Sequence, residues 1–370
     1  MSNMTDYLAW RGDLDFSASP FNEVDSLILT QLVYLDFEGI IPDISSTASV
    51  SLKKTGEHFF HINQPDVLSA SPQLIRDCSD VLKAAMYTRR FGNCRLSKYI
   101  SEINSKEEYQ FSAMKISLTD KSIFLAFSGT DNSLTGWKED FNMSYLKETP
   151  GQRRAVEYLG TVLPPVKKQI RLGGHSKGGN FAVYAAIKSK KSIQNRLLDV
   201  YNFDGPGFTE EMVSKEEYQN ILPKIHTIIP QSSIIGILLE HEEEYSVIES
   251  SERGLMQHRA ISWQVQGPEF VHLKQRTRDS IFWDGTLKKW IAGLENRERR
   301  NFVDTLFAVL ESAGIENTDE LNKITWSKFI TLMKAVDKLP EEEKEILSYA
   351  IKRLTNEVEK GKKRRKNKNW

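Results

Sequence analysis

Cysteine is nearly absent from this sequence. The two present, Cys78 and Cys94, show no Cys-x-x-Cys spacing, which excludes a disulfide framework and a zinc site built from cysteine alone. Long hydrophobic runs are missing too. The longest uncharged apolar stretch, Ile225 to Leu239, is interrupted by Pro230, Gln231, Ser232 and Ser233 and is too short to span a bilayer. There is no excess of either charge: 50 basic residues face 50 acidic ones, so bulk electrostatics draws the chain to neither nucleic acid nor membrane. Met1 to Phe16 carries Asp6, Arg11, Asp13 and Asp15 and no apolar core of a leader peptide. A soluble cytoplasmic protein that uses no metal and no organic cofactor is expected.

What is present suffices for a large core. Over 370 residues, 39% are hydrophobic, enough for one large domain and a smaller appendage. The charge is unevenly spread: Lys360 to Trp370 is almost wholly basic or polar. This terminus reads as an unstructured, solubilising tail. Contact with nucleic acid or an anionic membrane is the competing reading, and only Trp370 offers an aromatic for it.

Periodicity organises the rest. Val24 to Tyr34 and Pro72 to Tyr87 have helical spacing. From Tyr109, β-runs and helices alternate. Tyr109–Ser117 and Ser122–Phe127 form a hairpin around Asp120-Lys121. A helix near Arg153–Leu163 precedes a strand at Gln169–Leu172, then a helix at Asn180–Ile187. Strands follow at Leu198–Phe203, Ile225–Ile229 and Tyr245–Glu249. This alternation predicts a mostly parallel sheet covered on both faces. Beyond residue 295 the pattern turns helical, with a start at Thr318 and another at Pro340.

Gly174-His175-Ser176-Lys177-Gly178 matches Gly-x-Ser-x-Gly between an apolar strand and an Ala-rich helix. That context is what a nucleophile elbow requires. Ser176 must adopt positive φ on a sharp turn, and Gly174, Gly178 and Gly179 supply the clearance. A serine that merely caps the helix is the alternative. An oxyanion hole needs a further N–H from an upstream strand end. Phe127-Ser-Gly-Thr-Asp131 sits there, so the N–H groups of Thr130 and Lys177 are the expected donors.

In such folds the order is serine, acid, histidine. Four histidines follow Ser176. His226 begins a strand, His241 lies in the acidic run Glu240–Glu244, and His272 needs another strand first. His258, just beyond the last core strand, is the expected base, with His241 second. Of the two available strand ends, Pro230–Ser233 has no carboxylate and Asp204-Gly-Pro-Gly has one. Asp204 is the expected acid; its alternative is an Asx turn before Gly-Pro.

Phe127-Ser-Gly-Thr-Asp followed by Trp137-Lys-Glu-Asp140 resembles the oxyanion strand and loop of class 3 lipases. Gly173-Gly-His-Ser-Lys-Gly-Gly179 resembles their elbow. With Asn202–Gly207, Pro230–Gly236 and Gln257-His258 before Trp263, the set is most similar to a bacterial branch of lipase-like hydrolases, over residues 5 to 295. The resemblance implies an α/β-hydrolase fold and a Ser-Asp-His triad, with Ser176 as nucleophile and Thr130 lining the oxyanion hole. It also implies that Asp140 holds the oxyanion loop by accepting a hydrogen bond from it. Two departures stand out. Ser128 replaces an arginine, and the place of the family's acid, after the next strand, holds Ser232 and Ser233. Either Asp204 acts from the preceding strand or the triad lacks its acid.

The expectation is therefore an α/β-hydrolase domain over 1–295 and a helical extension over 296–370. Ester hydrolysis through an acyl-serine on a small-molecule or lipid ester is the expected activity. Thr209–Leu222 is the expected lid. The rival is a hydrolase fold kept as an inactive binding or scaffold module.

Overall fold

The computed structural model describes residues 2–131, 133–164, 167–313, 315, 332–334 and 336–367. The helix start expected at Thr318 lies outside the described residues.

The first part of the chain forms α1 (Met4–Arg11), α2 (Glu23–Leu32), β1 (Val50–Ser51), α3 (Leu52–Ile62), α4 (Pro65–Ala70), α5 (Gln73–Ala85) and β2 (Arg95–Asn104). Next come β3 (Tyr109–Ser117), β4 (Ile123–Phe127), α6 (Leu134–Asn142), α7 (Pro150–Val162), β5 (Ile170–His175) and α8 (Lys177–Lys188). They are followed by α9 (Lys191–Gln194), β6 (Leu197–Phe203), α10 (Glu210–Val213), α11 (Glu216–Ile221), β7 (Ile225–Pro230) and β8 (Tyr245–Ile248). A small hairpin of β9 (Val265–Gln266) and β10 (Glu269–Phe270) precedes β11 (His272–Leu273), α12 (Arg278–Ala292) and α13 (Asn296–Ser312).

Among the described residues, one sheet runs in the order β1-β2-β3-β4-β5-β6-β7-β8-β11. The four pairs from β4 to β8 are parallel; both flanks are antiparallel. Alternation along a strand sends neighbours to opposite faces. In β4, Ile123, Leu125 and Phe127 enter one buried cluster, while Phe124 and Ala126 enter the other.

The chain adds its parallel strands in sequence order, and crossovers share one hand. The crossover helices α7, α8 and α11 therefore fall on one face: Tyr158, Phe181 and Tyr218 share one cluster. The opposite face is covered by the N-terminal helices, through Leu27 and Ile28 of α2, Phe59 of α3 and Leu82 of α5. Arg90 ties that layer down. Its fully buried guanidinium pairs with Asp25 and also donates to the carbonyls of Leu14, Ser19 and Pro20.

This is the α/β-hydrolase fold expected from the sequence. The helix at the C-terminal end differs from expectation. Of the basic segment read as an unstructured terminus, residues 360–367 continue the backbone of a helix, Glu341–Asn367. Three glutamates in its first turn complement the positive helix end, and lysine and arginine are good helix formers. The indole of Trp290 on α12 donates to Ala350 of this helix at 3.0 Å.

Candidate active site

The elbow is built from clearance. Ser176 follows β5 directly and sits at φ 58°, ψ −136°, in the left-handed half of the map that non-glycine residues rarely enter. A Cβ on Gly174 would lie 2.0 Å from Gly178, and one on Gly178 would lie 2.2 Å from the Phe127 carbonyl. Side chains at either place would push α8 off the sheet. The Ser176 side chain makes no capping bond to α8, so it is not an ordinary helix cap.

Upstream, β4 ends against this turn. A Cβ on Gly129 would lie 2.8 Å from Ser176 Cβ and 2.5 Å from the His175 carbonyl, so only glycine permits the approach. The Thr130 hydroxyl donates to Asp140 Oδ2 at 2.6 Å, the contact the family resemblance implies. Neither the Thr130 N–H nor the Lys177 N–H has a hydrogen-bond partner among the described residues. For Lys177 the reason is general, because the first N–H groups of a helix lack intrahelical acceptors. Burial pushes the Asp140 carboxyl up to about 6, against the opposing pull of the Lys177 ammonium and the Thr130 hydrogen bond.

Asp204 directly follows β6, at φ 51°, and is 1% exposed. His258 closes the turn Gly254–His258 and donates from Nδ1 to Asp204 Oδ2 at 2.6 Å. The other Asp204 oxygen accepts the Ser233 hydroxyl and the Gly236 N–H. Thus Ser233, standing where the resemblance implies the acid, hydrogen-bonds the carboxylate of the neighbouring strand. With Nδ1 bonded to a carboxylate, His258 Nε2 keeps its lone pair.

A second imidazole supports the first. The His175 and His258 rings lie 4.6 Å apart, tilted by 32°. His175 Nε2 donates to the His258 carbonyl at 2.8 Å, leaving Nδ1 to accept from the Tyr34 hydroxyl at 3.0 Å. Burial, and then the neighbouring His258, hold His175 well below the usual histidine range. It stays neutral beside His258. His241, the second candidate, instead bonds Glu243 at 2.9 Å in a buried cluster with Thr227 and Tyr218. His226 pairs with Asp199 and His272 with Glu23, both away from Ser176.

Ser176, Thr130, Asp140 and His258 all line one cavity of about 460 Å³. Its roof comes from Leu287, Trp290 and Ile291 of α12 and from Phe302 and Val303 of α13. Trp137 and Phe141 of α6 close one side; Ile234, Ile235 and Leu238, after β7, close another. The lid expected at Thr209–Leu222 is not there. Met212, Val213, Tyr218 and Ile221 are buried in the core beside α8, because their apolar spacing is satisfied against the sheet.

Sequence reasoning missed Tyr34, His175, Ser233 and the α12–α13 roof. Ser233 carried a signal in its place after the strand that follows Asp204, His175 in its place within the elbow motif, and the roof in its helical spacing. No group of three or more metal-binding side chains occurs among the described residues. No described helix is long and apolar enough to cross a membrane.

The Mbeg1-like family matches residues 85–308. The chain belongs to that family. The part of this Mbeg1-like chain that matches contains Thr130, Asp140, Ser176, Asp204 and His258, and reaches into α13. Among solved structures, the crystal structure of M37 lipase is similar at 13% identity, covering 88% of this chain and 98% of that one, with a TM-score of 0.37. No curated protein matches the sequence.

Proposed function

We propose that this protein is a serine hydrolase that cleaves carboxylic esters with an apolar acyl group. The observation that carries the reading is Ser176 on a strained elbow, in one apolar cavity with a His258 oriented by buried Asp204. His258 Nε2 takes the proton of Ser176 as Oγ attacks the ester carbonyl. The N–H groups of Thr130 and Lys177, without other partners among the described residues, stabilise the oxyanion. The imidazolium protonates the departing alkoxide, which leaves as an alcohol. Water, deprotonated by the same imidazole, then attacks the acyl-serine, releasing the carboxylic acid and restoring Ser176. Asp204 holds the imidazole in the tautomer this needs and stabilises its cation. Asp140 holds the oxyanion loop through Thr130.

The rival, an inactive hydrolase-fold module, drew its support from the missing carboxylate after β7. The Ser233–Asp204 bond weakens that ground, since the strand end serves the acid instead of supplying it. Two buried, free cysteines fit a reducing, cytoplasmic setting. The balanced charge of the chain fits a small-molecule or lipid ester as partner.

A series of p-nitrophenyl esters tests the reading. Each added methylene that enters the cavity should raise kcat/KM by about fourfold until the roof is met. Ser176→Ala should remove the turnover. A folded wild type with no turnover of any chain length would reject the proposal.

A further inference from the structure

The second variable position of Gly-x-Ser-x-Gly holds a lysine, Lys177. Its ammonium is fully buried and pairs at 2.9 Å with Glu139, also fully buried. An apolar pair of the same size would fill this space at no greater cost, because desolvating two charges offsets their attraction. Stability alone therefore does not explain the pair.

Glu139 is fully engaged. Oε2 accepts from Lys177 and from the Gln110 N–H at 3.2 Å; Oε1 accepts from the Thr149 hydroxyl at 3.0 Å and the Gly151 N–H at 2.8 Å. Those donors belong to β3 and to the start of α7, so the carboxylate is locked into the core. Lys177 Nζ also donates to the Gly136 carbonyl, on the same helix α6, at 3.4 Å. The next residue of α6, Asp140, holds the Thr130 hydroxyl at 2.6 Å. Two adjacent carboxylates of one helix thus each grip the side chain of one oxyanion donor.

We propose that α6 sets the width of the oxyanion hole, and that Glu139 and Lys177 are positioning residues that fix the Lys177 N–H against the Thr130 N–H. The inference rests on the hydrolase reading of Ser176. Oxyanion stabilisation needs both donors about 3 Å from the developing charge, and a misplacement of about 1 Å costs on the order of a hundredfold in rate. A side chain anchored to the helix that follows the oxyanion loop removes that freedom.

The test compares the wild type with Glu139→Gln, Lys177→Met and the double variant Glu139→Gln/Lys177→Met. Each single change strands a polar or charged group and threatens folding. The double variant buries no unpaired charge and carries the test. The readouts are thermal unfolding, kcat and KM for p-nitrophenyl butyrate, and inhibition by a trifluoromethyl ketone, whose serine adduct bears the oxyanion. A positioning role predicts a folded double variant with kcat lowered at least tenfold and KM within about twofold, as lost transition-state contacts behave. Inhibition should weaken by the same factor as kcat/KM. A folded double variant with wild-type kcat and wild-type inhibition overturns the positioning role and leaves the hydrolase reading standing. A wild type that neither turns over ester nor reacts with the ketone overturns both.

Discussion

Asp140 carries a carboxyl raised to about 6, chiefly by burial. Between about pH 4 and pH 6 the folded chain keeps a proton that the unfolded chain has lost, so stability falls as pH rises through that window. Asp140→Asn does not titrate. Its stability relative to the wild type should rise by about 1–2 kcal/mol between pH 4 and pH 7, a figure reduced for partial exposure to the cavity. Urea unfolding at the two pH values checks this; an unchanged difference would contradict it. At neutral pH, Asp140 is ionised and accepts the Thr130 hydroxyl. Ser176, Asp204 and His258 were legible as candidates because each sits at a chain position with a local signature: an elbow, a strand end, a turn after the last core strand. Tyr34 was not. Its role comes from a contact across 141 residues of chain, which no local pattern encodes. Ser233 was marked only by its place after β7, and its bond to Asp204 spans 29 residues.

At the scale of elements, the roof is the part of the site that owes least to the hydrolase core. α12 and α13 present five of the apolar side chains over Ser176 and His258. Ile291→Trp should fill the upper cavity. Hydrolysis of a p-nitrophenyl dodecanoate should then fall more than tenfold, while the acetate changes less than twofold; equal losses on both esters would contradict a roof that contacts the acyl chain. The helical character of this region was visible in the sequence, but amphipathic helices do not declare which surface they cover. The strand β2 was missed for another reason. Its register shifts between Ser97 and Ile100, with Lys98 at φ 58°, which breaks the alternation by which strands are recognised. The hairpin β3–β4 and the strands β5, β6 and β7 kept their patterns and were legible to within a few residues.

Across the whole molecule, strand order divides the labour. The crossover helices cover one face of the sheet, and the N-terminal helices must cover the other. The N-terminal helices are thus a structural layer for the site: α2 packs behind β5, and Tyr34 reaches His175. Asp25 and Arg90 hold this layer from more than 60 residues apart. Asp25→Ala would leave a buried guanidinium unpaired and should cost about 3–5 kcal/mol, read as a lowered urea midpoint with the slope retained. A loss below about 1 kcal/mol would mean that the pair does not anchor the layer.

The proposed function stands on Ser176 as an activated nucleophile. The most direct measurement is covalent labelling by a fluorophosphonate probe, read by intact mass and peptide mapping, beside Ser176→Ala, His258→Ala and Asp204→Ala. An activated Ser176 should take one adduct per chain, Ser176→Ala and His258→Ala should take none, and Asp204→Ala should label more slowly. A folded wild type that takes no label, or a label that persists in Ser176→Ala, would contradict it.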